Sequence, residues 1–157
     1  MTQWNPAWSR PAVTRSDPAW QRAPAPLNSE ILFADVFVCI VAARHPVATG
    51  RFTVDQYLKY QHVVVDILSG QQTPVDRPLA ALGLKRRVGL VLPYFLPAVL
   101  TVAQSNMILT TPSRLARKLE RGAGVRIVKA PRELVGFNYE MTWHARLTAD
   151  PSPRMVP

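Results

Sequence analysis

The sequence has a single cysteine, Cys39, so no internal disulfide can form; this fits a reducing compartment. Carboxylates are scarce: 10 acidic residues stand against 19 Lys and Arg, for a formal net charge of +9. No carboxylate pair is placed for acid–base work. The three histidines, His45, His62 and His144, stand apart, and none has metal-ligand spacing such as HExxH. The 7 glycines are scattered, so there is no glycine-rich phosphate loop. Ser69 lies in "DILSG", which is not the GxSxG elbow of a hydrolase. Asp66 and Asp76, near the carboxyl end of a strand, read as loop or cap residues. The sequence therefore points to no catalytic residue, no metal and no cofactor. The N-terminus has neither the continuous apolar stretch of a signal peptide nor a lipidation cysteine.

What the sequence has in excess is proline and positive charge. The 15 prolines are about twice the usual share. Five of them (Pro6, Pro11, Pro18, Pro24, Pro26) and three of the four tryptophans (Trp4, Trp8, Trp20) fall in residues 1–26. No strand or helix period survives there, so the segment reads as a disordered Pro/Trp-rich extension. Residues 27–157 read as one folded domain; a 48% apolar content can fill a core. The basic residues are densest at Lys85-Arg86-Arg87 and from Arg114 to Arg121. Neither group carries a nucleic-acid motif. They read as a solvated basic surface, with a nucleic-acid face as the alternative.

One run needs a decision. "VGLVLPYFLPAVLTVAQSNMILTTPS", from Val88 to Ser113, has no charged residue and is long enough to cross a bilayer. Pro93 and Pro97 interrupt it, and Thr101, Gln104, Ser105 and Asn106 make its second half polar. It divides better into a strand ending at Leu92, a helix over 93–104 and a strand over 107–111. That is a β-α-β unit buried on both faces.

The rest of the chain has the same texture. "VFVCIVA" (36–42) predicts a buried strand, and "TVDQYLKY" a helix with Thr53 as N-cap. "HVVVD" predicts a strand. "TPVDRPLAALG" predicts a helix opened by Thr73 and Pro74 and closed by Gly83, shortened or distorted by Pro78. "TPSRLARKLERG" predicts a helix with Thr111 as N-cap, Pro112 at its first position and Gly122 at its end. "VRIVKAP" and "FNYEMTWHARL" predict two more strands, the second antiparallel or near an edge because its pattern alternates. The fold class is α/β, with a mixed, mostly parallel sheet of about five strands flanked by helices.

In such a sheet, ligands sit beyond the carboxyl ends of the strands. The candidate ligand-binding residues there are Ile67, Ser69, Pro93, Tyr94, Phe95 and Thr110. Tyr94 and Phe95 can stack on an apolar ring, with ordinary core packing as the competing role for both. Ser69, Thr110 and helix N-terminal amides can hydrogen-bond a small anion.

These residues carry a resemblance. "FADVFVCIVAARHPVATGRFTVDQYLKYQHVVV" resembles the opening of the second half of the effector-binding domain in LysR-type transcriptional regulators. In the nodulation-regulator-like branch, Asp76, Leu79, Gly83, Arg87 and Val88 match a spaced motif. L-P-x-F at Leu92 to Phe95 and T-x-P-x-R-L-A at Thr110 to Ala116 then follow in order, and "MTWHARLTADPSPR" resembles the closing stretch. The resemblance implies a type 2 periplasmic-binding-protein-like subdomain that binds a small effector, aromatic or carboxylate, in a cleft of which this chain supplies one wall. It also implies a truncated regulator without its winged helix-turn-helix, its first effector subdomain or its closing helix. Residues 1–26 would then be a fused or out-of-frame extension. Pro78 departs from the family pattern.

Three readings follow. The first is an effector-sensing, non-enzymatic, cytoplasmic module that binds no membrane and gives no sequence-specific DNA binding by itself. It would form a homo-oligomer or pair with a full-length relative. The second is an α/β enzyme of unknown activity, and the third a membrane-associated protein using residues 88–113.

Overall fold

A computed structural model describes residues 12–16, 27–49, 52–66, 73–134 and 136–145. Its residues group into two compact units, 35–136 and the segments on either side of it.

The flanking unit is a three-stranded sheet in the order β1-β8-β2: β1 (Ala12–Ser16), β2 (Leu27–Asp35) and β8 (Phe137–His144). β1 runs antiparallel to β8, with Ala12 opposite Thr142 and Ser16 opposite Asn138. Five residues of the segment read as irregular form a strand, and β8 is antiparallel, one of the two placements its alternation predicts, and central in its sheet. Sequence pattern missed β1 because "AVTRS" is too short and too polar to show alternation. Phe33 and Phe137 pack on Tyr139, with ring centroids 4.7 and 5.3 Å away.

The larger unit is a five-stranded mixed sheet in the order β5-β4-β6-β3-β7. In chain order its elements are β3 (Phe37–Ala42), α1 (Val54–Lys59), β4 (Gln61–Val65), α2 (Asp76–Ala81), β5 (Arg87–Leu92), α3 (Phe95–Ala103), β6 (Ile108–Pro112), α4 (Ser113–Leu119) and β7 (Val125–Lys129). β4 lies parallel to β5 and β6, while β3 is antiparallel to β6 and β7. The sheet is thus half parallel, less than the sequence pattern predicts.

The uncharged run folds as β5-α3-β6, as its prolines dictate. Among the described residues no helix is long and apolar enough to cross a membrane. Pro97 is the third residue of α3, in the first turn, where a backbone N–H has no helical partner to lose. Pro78 holds the same position in α2, so that helix forms despite it, short at six residues. Gly83 closes it with a positive φ of 69°, while the Leu84 N–H reaches the Leu79 carbonyl at 2.8 Å. On the other strand-to-helix side, Thr53 and Gln56 form a reciprocal capping box at the start of α1.

The core is Ile40, Val63 and Leu109 of the sheet against Ala98, Val99 and Val102 of α3 and Ala116 of α4. Gly89 lets β5 pass close to Gln61 of β4 and to Met107, just before β6. A Cβ there would meet Gln61 Cβ at 3.0 Å and Met107 Cε at 3.1 Å, beside the register shift at His62/Val63.

Candidate functional site

Successive residues of a strand point to opposite faces of the sheet. Leu109 of β6 faces α3 and α4; Thr110 must face the other way, and it does. The Thr110 hydroxyl lies 2.8 Å from Tyr57 Oη of α1 and 3.7 Å from Cys39 Sγ. Tyr57 also hydrogen-bonds the Arg86 guanidinium. Arg86 grips the Asp76 carboxylate at the start of α2 with two bonds, Nε to Oδ1 at 2.6 Å and Nη2 to Oδ2 at 2.9 Å. So α1 and α2 share one face, and α3 and α4 share the other.

The helix that follows β4, α2, thus lies on one face of the sheet, and those that follow its neighbours β5 and β6, α3 and α4, lie on the other. In open α/β sheets, the carboxyl end of a strand beside such a switch is the usual ligand position. On its β5 side stand Pro93 and Tyr94; Tyr94 is 70% exposed and makes no cap bond to α3. Phe95 starts α3 and is half-buried. On the β6 side are Thr110 and Thr111. Ile67 and Ser69 lie outside the described residues. The structure thus brings Pro93, Tyr94 and Phe95 to one rim. It places Thr110 across β4 from them, with its hydroxyl engaged by Tyr57.

Two residues beside this rim take roles that the sequence does not show. Thr111, predicted as the N-cap of α4, lies within β6 and is buried; its hydroxyl has no hydrogen-bond partner among the described residues. The N-cap is Pro112, which has no side chain to offer. Asp35 takes over that duty from 78 residues away in sequence, accepting from Ser113 Oγ at 2.5 Å. The same carboxylate accepts from the Arg114 N–H at 3.3 Å and the Val36 N–H at 2.8 Å. Burial works to raise the Asp35 pKa, but these bonds, led by Ser113, hold it below the usual carboxylate value. Asp35→Ala will therefore cost about 2 kcal/mol, the upper end for a lost helix cap. Asp35→Asn will cost less, because the amide oxygen still accepts. Urea melts of the two variants check this.

The remaining titratable groups on the sheet are locked into structure. His45 Nδ1 accepts from the Val47 N–H at 3.1 Å, and Nε2 meets the Asn106 carbonyl at 3.2 Å. His62 is fully buried, with Nε2 donating to the Tyr57 carbonyl at 2.8 Å. Burial pushes the Cys39 thiol up to about 12, so it stays protonated and inert. Among the described residues no three His, Cys, Asp or Glu side chains are grouped to hold a metal ion. The rim can stack an apolar ring and offer hydroxyls, which is binding chemistry.

Known proteins share this fold. The LysR substrate binding domain profile matches residues 12–154. The chain is 31% identical over 129 residues to the HTH-type transcriptional regulator SyrM of Rhizobium meliloti (strain 1021), covering 80% of this chain and 39% of SyrM. It is 27% identical over 122 residues to Nodulation protein D 3 of Mesorhizobium japonicum, covering 77% of this chain and 40% of that protein. The crystal structure of the probable transcriptional regulator PA0477 from Pseudomonas aeruginosa superposes with a TM-score of 0.78 at 29% identity, over 87% of this chain and 45% of that one. The chain spans about two fifths of the length of the curated relatives it matches. With 12–154 matched in full and the mixed sheet in place, this chain belongs to the LysR substrate-binding domain family.

Proposed function

We propose that the chain is the effector-sensing part of a LysR-type transcriptional regulator and acts by binding, not by catalysis. A small molecule binds at the carboxyl end of β4, between Pro93, Tyr94 and Phe95 on one side and Thr110 and Thr111 on the other. Ile67 and Ser69, which follow β4 in sequence, belong to the same proposed site. The observation that carries this is that α2, after β4, and α3 and α4, after β5 and β6, take opposite faces of the sheet, with Tyr94 exposed at the end of β5. Tyr94 supplies an exposed ring on which an aromatic ligand can stack.

On this reading the chain works in the cytoplasm. On the same reading the chain gives no sequence-specific DNA binding by itself. Leu96 and Leu100 of α3 are 59% and 51% exposed, which favours self-association or pairing with a full-length relative through that helix.

The test is a thermal-shift screen of small aromatic and aliphatic carboxylates on the purified chain. A hit should raise the melting temperature, and Tyr94→Ala should weaken that hit about tenfold without changing the unliganded melting temperature. Hits whose affinity ignores Tyr94 and Thr111 substitutions would place the ligand elsewhere.

A further inference from the structure

The basic residues between Arg114 and Arg121 are not spread around α4. At about 100° per residue, Arg114, Arg117, Lys118 and Arg121 fall within an arc of about 100°. Ser113, Ala116 and Leu119 take the opposite side, against the core. The backbone stays helical through Glu120, so Arg121 keeps the phase. All four basic side chains are exposed. Lys129 of β7 extends the same surface. It lies two residues beyond Ile127, which packs in the core beneath α3 and α4, so it points to the helix-covered face of the sheet, and it is exposed.

Among the described residues, Arg117, Lys118, Arg121 and Lys129 have no carboxylate partner on α4 or β7. The one acid of α4's end, Glu120, turns inward and accepts from the Ile127 N–H at 3.2 Å. Nor does it carry apolar anchors: the exposed large hydrophobic residues lie on β2, β5, α3 and the segments beside them, with none on α4 or β7. A helix that lies on a membrane needs its apolar side free, and here that side is buried in the core. Amide and aromatic side chains that read bases are also missing from it.

From this face we infer a docking surface for the phosphate backbone of a double-stranded nucleic acid, bound without regard to sequence. It goes beyond effector sensing and does not depend on the rim of β4. Arg114 to Arg121 span about 10 Å along the helix axis, and each strand of a duplex carries one phosphate per about 3.4 Å. About three phosphates can then be engaged at once.

Fluorescence anisotropy of the full chain with two labelled DNA duplexes of unrelated sequence tests this. The expected result is equal, weak binding to both, with log K falling against log salt with a slope of about −3. The Arg117→Gln/Lys118→Gln/Arg121→Gln variant should bind at least tenfold more weakly and show a shallower slope. A control that removes as much charge elsewhere, Arg44→Gln/Lys59→Gln/Lys85→Gln, should stay within about twofold of the parent. The charge-keeping Arg117→Lys/Arg121→Lys variant should also stay within about twofold, which separates loss of charge from loss of fold. An equal loss in the control, a clear preference for one duplex, tighter binding to phosphatidylserine vesicles than to duplex, or no binding at low salt would each overturn the inference.

Discussion

Arg86→Met will cost the chain about 3–5 kcal/mol of folding stability, the usual penalty for stranding one member of a buried ion pair. The Arg86 side chain is 3% exposed and that of Asp76 is 31% exposed. The pair is cross-braced. Arg86 Nη2 donates to Thr73 Oγ1 at 2.9 Å, and Thr73 Oγ1 donates to Asp76 Oδ2 at 2.6 Å. Burial works against the Asp76 charge, but hydrogen bonds from Arg86 and Thr73 hold its pKa below the ordinary carboxylate value. Asp76→Asn should therefore be costly too, because it leaves the guanidinium buried with half its acceptors. The double change Arg86→Met/Asp76→Leu should recover most of the loss, since well-packed apolar residues often replace a buried pair at little cost. Urea midpoints for the three variants decide the matter. Were Arg86 a solvated surface residue, as its place in Lys85-Arg86-Arg87 predicts, Arg86→Met would move stability by no more than about 0.5 kcal/mol.

Acid will weaken the fold through His62. Its ring lies 4.2 Å from that of Tyr57, its Nε2 is engaged by the Tyr57 carbonyl, and its Nδ1 is buried without a partner among the described residues. Burial lowers its pKa to about 4; the Tyr57 carbonyl and Asp76 work to raise it, and the Arg86 charge lowers it further. The ordinary value, which the unfolded chain keeps, is about 6.5. Between those two values the unfolded chain binds the proton and the folded chain does not. Stability is therefore constant above about pH 6.5, falls as the pH drops below it, and levels off for this group near pH 4. The loss from pH 7 to pH 5 is about 2 kcal/mol at 1.36 kcal/mol per pH unit. His62→Gln keeps a donor for the Tyr57 carbonyl but cannot titrate. Its stability should change little over the same interval, while the parent drops. Parallel pH profiles for the two would assign the acid sensitivity to other groups.

The local elements were largely legible because their signals are local. Thr53 with Gln56, Gly83 after "LAAL", and the β-branched run at Val36 to Ala42 each fix a boundary within a few residues. The uncharged run was legible for a related reason: prolines and amides at definite positions cannot be fitted to one long apolar helix. The failures concern partners distant in sequence. Arg86 and Arg87 are adjacent and chemically alike, yet one is buried and the other exposed, because only Arg86 meets Asp76. Thr111 had every local mark of an N-cap, but Asp35, brought alongside by β3 pairing with β6, already serves α4. The basic face of α4 needed the same long-range information: helix phase alone places four cations together, and Ile127 and Lys129 on β7 show which way they look. That Pro93, Tyr94 and Phe95 follow the end of a strand can be read from sequence. The switch of helix face beside β4 depends on tertiary packing, and no short stretch encodes that.

The most direct test of the proposed effector site is an amide chemical-shift titration of the isotope-labelled chain with the strongest carboxylate from the thermal-shift screen. The account predicts that the largest changes fall on Tyr94, Phe95, Thr110 and Thr111, with little change on α4 and β7. Changes centred on another surface, or a tight ligand that leaves those four amides unmoved, would contradict it.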